Sequence, residues 1–418
     1  MTTEDGINAL AAWLAKAGLR GEPEDALVSG FCERAVASGL PISRALLFID
    51  TLHPVYEGRL VRWGHDPSKP VIQEYGRTGL PGGATDRHLS SGVEQQTDTA
   101  ARWRASPFFR MLETGESLLR RRVTADSEAE FPVLGDYRAE GMTDYVAIIN
   151  RFAPEGTIGE MDCIYSSWLT GRVDGFTDAN IAALTRVVPT LSLAVKAAAL
   201  ARMTGTLMET YLGRDAGRRV LSGRIMRGVA DRIDAVIWFS DLRGFTRITD
   251  STPEQVIPLL NDYADVIVSA IHAQGGDVLK LIGDGILAMF AASDRANACA
   301  AALAAATAAR SEVTALNARR ARVALPVTDM YLGLHVGEVF YGNIGSTERL
   351  DFTVVGPAVN EASRIAAMCR SVEQPVLVSE VFANVDGMRG RLISVGRYAL
   401  RGVAQPQELF TLDSAQAN

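Results

Sequence analysis

Apolar positions along this chain change their spacing twice. Up to about residue 180, short apolar runs near 44–50, 59–63, 117–123, 143–150 and 160–168 read as strands, with a helix over 23–38. The stretch 64–105 is rich in Gly, Pro, Ser, Thr and Asp and predicts a long loop. Over 177–212 the period lengthens to that of a helix. Leu184, Val188, Leu191 and Val195, then Leu200, Met203, Leu207 and Tyr211, recur at three- and four-residue steps, the spacing of a helical seam. Pro189 bends or starts that helix. Residues 213–232 carry Arg214, Arg218, Arg219, Arg224, Arg227 and Arg232 and read as a solvated, basic connecting segment.

From about 233 the pattern alternates between short strands and helices. Ala235–Ser240 is an apolar run suited to a buried strand. Thr252-Pro253-Glu254-Gln255 predicts a helix start with Thr252 as N-cap, and Val256, Leu259, Leu260, Tyr263, Ile267 and Ile271 mark one buried face. Asp277–Leu281 and Ile286–Phe290 flank Gly283-Asp284-Gly285, which predicts a β-hairpin. An alanine-rich helix follows over 291–309, then strands near 328–336 and 350–355 and a helix at 357–371. The order is β-α-β-β-α-β with additions, a ferredoxin-like sandwich, so the fold class is α+β. Three parts result: residues 1–180, a mixed α/β domain; 181–232, a helix and linker; and 233–418.

Composition narrows the function classes. A chain of 418 residues, 47% hydrophobic and 22% charged, is ordinary for a globular protein of two or three domains. The net charge of −7 argues against a nucleic-acid binder, although it leaves room for a nucleotide chelated to Mg²⁺. MTTEDGINAL lacks the basic start and apolar core of a signal peptide. The most apolar central stretch, AVKAAALA, is short and carries Lys196, so no membrane span is expected. Cys32, Cys163, Cys299 and Cys369 are widely spaced and read as buried thiols of a reducing, cytoplasmic compartment.

The chemistry concentrates in the last part. VIWFSDLRGFT places Asp241 directly after a strand, and VLKLIGDGILAMF places Asp284 on the hairpin turn. Adjacent strands lie about 5 Å apart, so two such carboxylates can share ions if their strands are neighbours. Mg²⁺ takes one or two carboxylates plus phosphate oxygens, which suits so sparse a set. Backbone N–H groups over Leu242–Thr246, with Gly244 allowing close approach, can cradle phosphate. Lys280 lies four residues before Asp284, an even separation that predicts a shared strand face. Asn360 and Arg364 are i and i+4 on a predicted helix and can stabilise charge on a phosphorus in transfer. Trp238, Phe245 and Met289 read as core side chains, and His335 as a residue satisfying a local hydrogen bond.

Together, SDLRGFT, KLIGDG, LGLHVGEVFYGNIG and FTVVGPAVNEASR resemble, in order, the motifs of the class III nucleotidyl cyclases over 233 to about 413. The resemblance implies conversion of ATP to 3′,5′-cyclic AMP and pyrophosphate with two Mg²⁺ or Mn²⁺ ions per site. It implies metal binding by Asp241, Asp284 and the Leu242 backbone. It implies substrate contacts from Gly244, Phe245 and Thr246, purine reading by Lys280 and Thr353, and transition-state stabilisation by Asn360 and Arg364. Such sites form between two subunits, so a chain carrying both halves implies a homodimer with two equivalent sites. Lys280 and Asp284 would then serve different sites.

Adenine offers an acceptor at N1 and a donor at N6. Lys280 donates and Thr353 can accept, so the pair favours ATP over GTP, the guanylate cyclase alternative. Many adenylyl cyclases of the family carry Asp at the second position; the Thr resembles a subgroup that includes bicarbonate-responsive enzymes. Inactive cyclase-like modules are expected to lack an aspartate or the Asn/Arg pair, and here all are present. One departure stands out. Position 331, two before Gly333, is often an arginine that touches the triphosphate, and here it is Tyr331; Arg401 in YALRGVAQP is a second phosphate candidate.

The N-terminal part resembles a GAF sensor domain in ALVSGFCERAVASGLPISRALLFIDTL and TGRVDGFTDANIAALTRVVPTLSLAV. The resemblance implies a small-molecule pocket over the sheet; Trp63, His65, Trp103, Phe108 and Cys163 could line it, though each reads first as a plain core residue. The Cys-His pair that anchors a bilin in some relatives is absent. A seamed helix between a sensor and a dimeric enzyme predicts a parallel coiled coil over 184–212 that transmits the signal.

Overall fold

A computed structural model describes residues 4–65, 67–76, 101–153, 155, 157–159, 161–401 and 405–413 of the chain. It divides into two compact units, Met1–Leu207 and Met208–Asn418.

In the first unit, six strands form one sheet in the order β3-β2-β1-β6-β5-β4, every neighbouring pair antiparallel. They are β1 (Arg44–Asp50), β2 (Tyr56–Trp63), β3 (Ile72–Gly76), β4 (Leu118–Arg122), β5 (Asp144–Arg151) and β6 (Cys163–Thr170). Helices α1 (Glu4–Leu19), α2 (Glu24–Ala37) and α6 (Asp178–Leu212) join one core with Leu47, Val61, Ile164 and Trp168 from the sheet. The short helices α3 (Pro107–Thr114) and α5 (Val133–Ala139) join the other, with Cys163, Tyr165 and Leu169, and α4 (Ala125–Glu130) lies between core residues Val123 and Phe131. Sheet residues alternate between the two cores because side chains alternate along a strand. With both sides covered, all eight residues of β6 are buried.

Four expectations are corrected here. The stretch 64–105 is not loop throughout, since β3 lies inside it; residues 77–100 lie outside the described residues. The seam of α6 is largely used within the unit: Leu184, Val188, Leu191, Val195 and Met203 are buried in its own core, with Leu200 and Leu207 packed partly on it, while Tyr211 is exposed. Pro189 sits inside the continuous helix on its exposed side. The five expected pocket residues divide: Phe108 and Cys163 belong to the core of the short helices, with Trp103 edge-on to Tyr165 at 5.7 Å. Trp63 packs on the opposite core, and His65 bonds the Trp63 carbonyl at 2.9 Å. A cavity of about 540 Å³ also lies on the helical side, bounded by the α1–α2 turn, Arg59 and Ala198. There the buried Glu24 takes hydrogen bonds from both Arg202, at 2.9 Å, and Arg59, at 3.2 Å.

Asp144 ties the start of α6 to the sheet. Fully buried, it accepts from Arg120 Nη2 at 2.8 Å, from the Phe176 amide at 2.9 Å and from the Tyr145 amide at 3.1 Å. Removing the acceptor strands these donors, so Asp144→Ala is expected to destabilise this unit by about 3 kcal/mol, read as a lower urea midpoint.

The second unit opens with α7 (Arg214–Leu221) and continues through β7 (Ala230–Leu242), α8 (Phe245–Ser251), α9 (Val256–Ala273), β8 (Asp277–Ile282), β9 (Gly285–Ala291), α10 (Arg295–Arg322), β10 (Met330–Gly345), β11 (Leu350–Val355), α11 (Pro357–Val372), β12 (Val376–Ser379), α12 (Glu380–Ala383), β13 (Leu392–Tyr398) and β14 (Gln407–Leu412). Its sheet runs β13-β14-β12-β10-β7-β9-β8, with β11 paired to β10. The central four strands, β10-β7-β9-β8, are antiparallel and arranged 4-1-3-2, the ferredoxin-like order expected from β-α-β-β-α-β. α9 and α10 cover one face over Val236, Trp238 and Leu334; Trp238 and Met289 are buried, as expected. α11 covers the other face and lies so close to β10 that a Cβ on Gly333 would come within 2.4 Å of the Ala362 carbonyl.

Two local readings differ. The 213–232 segment is solvated as expected, with residues 221–230 all exposed, but it is not an irregular connector. It holds α7 and the start of β7, and Arg219 and Arg224 both donate to Asp231, at 2.9 and 2.7 Å. Thr252 precedes a short 3-10 turn without capping it; its hydroxyl donates to the Ile248 carbonyl at 3.1 Å.

Candidate active site

β7 sets the site by alternation. Val236 and Trp238 face the α9/α10 core, while Ala235 and Ile237 face the α11 side. Asp241 continues the odd-numbered series at the strand end. β9 is the hydrogen-bonded neighbour, with Ser240 opposite Ile286, and this brings the β8–β9 turn beside Asp241. That turn holds two residues, Gly283 and Asp284, between the paired Ile282 and Gly285. Gly283 has φ +62°, the positive value a tight hairpin requires at that place. A Cβ on Gly285 would lie 2.9 Å from the Ser240 carbonyl, so glycine lets the turn approach β7.

The two carboxylates meet at one amide: the Leu242 N–H donates to Asp241 Oδ1 at 3.1 Å and Asp284 Oδ2 at 3.3 Å. Partial desolvation, and then the neighbouring Asp284, push the Asp241 carboxyl up to about 6. Two acceptors crowded on one donor form a site short of positive charge. Its all-oxygen donors match Mg²⁺ or Mn²⁺, with remaining positions left to phosphate oxygens and water. No cluster of three or more His, Cys, Asp or Glu that could hold a metal occurs among the described residues. Beyond them the chain turns through Gly244, φ +69°, into α8, whose first N–H groups at Phe245 and Thr246 lack intrahelical acceptors by geometry. Phe245 packs partly on the core.

The purine-reading pair lies on separate elements. Lys280 is on β8, whose pairing runs regularly from Lys280 to Ile282, but Asp284 lies beyond the strand in the turn, so the even spacing does not place the two on one strand face. Instead Lys280 Nζ forms an ion pair with Asp351 of β11. Along β11, Phe352 and Val354 enter the core under α11, while Asp351 and Thr353 share the opposite side. Lys280 is thus held on the face that carries Thr353. Asp351 was missed by the motif reading; its signal was the two-residue step to Thr353 on a predicted strand.

Asn360 and Arg364 stand on the side of α11 away from its buried Ala358, Ala362, Ile365, Ala366 and Cys369. Asn360 is exposed and Arg364 half-buried. No hydrogen bond or ion pair links either to Asp241 or Asp284 among the described residues. Arg401 is exposed after β13, and its neighbours 402–404 lie outside the described residues. His335, as expected, is held locally: Nδ1 lies 2.9 Å from Ser379 Oγ and 3.4 Å from the Glu361 carboxylate, and burial lowers its pKa.

Residues 229–414 match the family described as "Adenylate and Guanylate cyclase catalytic domain", and this part of the chain belongs to it. Among similar proteins, an adenylate cyclase of Anabaena cylindrica is 35% identical over 158 residues, 37% of this chain and 31% of that protein. An uncharacterized protein of Mycobacterium tuberculosis is 32% identical over 209 residues, 47% of this chain and 35% of that one. The chain thus spans about a third of the length of these curated relatives. The crystal structure of the adenylyl cyclase CyaB from P. aeruginosa aligns at 24% identity with a TM-score of 0.42, covering 46% of this chain and 99% of that one.

By length and composition alone, the helices Asp178–Leu212 and Pro253–Ala273 could cross a membrane. Both contribute to domain cores, through Leu184 and Val188 in one and Leu259 and Ile267 in the other.

Proposed function

We propose that this chain is an adenylate cyclase that converts ATP to 3′,5′-cyclic AMP and pyrophosphate as a homodimer. The observation that carries the reading is the Leu242 amide shared by Asp241 and Asp284, set on a strand apart from the Lys280–Asp351–Thr353 group. One chain supplies a metal-binding half and a base-reading half. Asp241 and Asp284 would hold two divalent ions, which when bound lower the pKa of the ribose 3′-hydroxyl and offset phosphate charge. Lys280 and Thr353 orient the adenine. The 3′ oxygen bonds to the α-phosphorus, the bond to the β-phosphate bridging oxygen breaks, and the hydroxyl proton leaves to solvent. Arg364 and Asn360 of the partner's half donate to the oxygens that gain charge.

Asp351 supports the choice of ATP. Its carboxylate directs the Lys280 amino group across β11, a donor matched to adenine N1 and mismatched to guanine N1–H. The N-terminal sheet-and-helix unit fits a regulatory sensor of a small molecule, and four buried free thiols fit a reducing, cytoplasmic compartment. The test is product formation from ATP and GTP with Mg²⁺ or Mn²⁺. Cyclic AMP is expected, with kcat/KM for ATP at least about tenfold above that for GTP. Preference for GTP would overturn the substrate assignment, and no cyclic product from either would leave an inactive cyclase-like module.

A further inference from the structure

We propose that Arg243 binds the substrate triphosphate, carried on the ring of Tyr331, and so supplies the charge that the arginine expected at position 331 would have given. The inference rests on the cyclase reading and extends it to a residue with no assigned role.

Tyr331 of β10 lies directly opposite Asp241 of β7 in the antiparallel register, so both side chains project from one sheet face. Its ring is half-buried and packs on the buried cluster of Ile365, Cys369, Leu377, Leu400 and Leu409. Arg243, two residues beyond Asp241, sets its guanidinium carbon 6.0 Å from the centre of that ring, within cation–π range. The arginine backbone is pinned from both sides: its N–H donates to the Asp329 carbonyl at 2.7 Å, and its carbonyl accepts from Thr328 Oγ1 at 2.6 Å. The side chain therefore starts from a fixed point beside the aspartates.

Its charge is also uncommitted. Arg219, Arg224, Arg232, Arg295 and Arg320 of the same unit each pair with an aspartate or glutamate, whereas Arg243, like Arg247 and Arg364, pairs with none among the described residues. Arg243 is also exposed. A planar guanidinium resting on an aromatic face, next to a site built for Mg²⁺ and phosphate, suits the non-bridging oxygens of a polyphosphate. Tyrosine at 331 cannot bear that charge but can seat the residue that does.

The experiment compares binding of 3′-deoxy-ATP, which lacks the attacking hydroxyl, with binding of 3′-deoxyadenosine 5′-monophosphate, using the full chain with Mg²⁺. Arg243→Ala is expected to weaken the triphosphate analogue about tenfold and the monophosphate less than about twofold, with a matching rise in KM for ATP. Adding Tyr331→Arg to Arg243→Ala is expected to restore most of the triphosphate affinity. Unchanged triphosphate affinity in Arg243→Ala, or equal losses for both nucleotides, would overturn the assignment while leaving the cyclase reading intact. A wild-type chain that binds neither analogue and makes no cyclic product overturns both.

Discussion

Asp241→Asn is expected to abolish cyclase activity, by roughly 10³-fold or more, while making the metal-free chain more stable above pH 6. The two effects share one cause. Asp241 and Asp284 crowd the Leu242 amide, and the Asp241 carboxyl is pushed up to about 6, above its unfolded value of about 3.9. A group whose folded pKa is raised adds stability that is full below the unfolded value and is lost as pH rises through the folded one. At neutral pH the ionised pair is therefore a local cost, and a neutral amide removes it. The gain is of order 1 kcal/mol, reduced from the full linkage value because the carboxylate is reached by solvent. It should be absent near pH 4, grow between pH 4 and 6, and stay level above. Divalent metal reverses the ranking. Mg²⁺ or Mn²⁺ at a hundredfold excess over its Kd adds about 2.7 kcal/mol to wild type and little to Asp241→Asn. Thermal melts at pH 4 and 7.5, with and without Mn²⁺, read all three expectations. A metal-free variant less stable than wild type at pH 7.5 would show that Asp241 serves the fold and not a cation.

Local chemistry is what the sequence makes legible. The Gly-Asp-Gly turn, the strand before Asp241 and the helix bearing Asn360 and Arg364 all formed where spacing placed them, because each is set by a few adjacent residues. The misreadings share a different origin. The seam of α6 has the same three- and four-residue steps whether it meets its own sheet or a second helix, so only the packed structure shows Leu184 to Met203 turned inward. The arginines of 213–232 are mostly exposed, but a charge count does not show that Arg219 and Arg224 are tied to Asp215 and Asp231. The even step from Lys280 to Asp284 implies one face only while the strand lasts, and β8 ends at Ile282, leaving Asp284 in the turn. Asp351 was overlooked because its role depends on β8 lying across from β11, a contact between residues 71 positions apart.

Mixing two inactive variants is expected to restore activity. Asp241→Asn removes the metal half of the site, and Arg364→Ala removes the transition-state half, the latter costing roughly 10²- to 10³-fold. Within one chain these halves share no hydrogen bond or ion pair among the described residues, and Asn360 and Arg364 point away from the face that α11 buries against β10. If the site is completed across a twofold axis, a mixed dimer builds one site from two intact halves and one from two damaged halves. Random exchange puts half of all chains in mixed dimers, each with one working site of two, so recovery should reach about 25% of wild type. Single variants alone should stay inactive at every concentration, whereas the mixture should lose activity on dilution as dimers dissociate. The double variant Asp241→Asn/Arg364→Ala, mixed with either single variant, should restore nothing, because every site then carries at least one damaged half. Full inactivity of the Asp241→Asn and Arg364→Ala mixture, with exchange of subunits verified by native mass spectrometry, would mean that both halves act within a single chain.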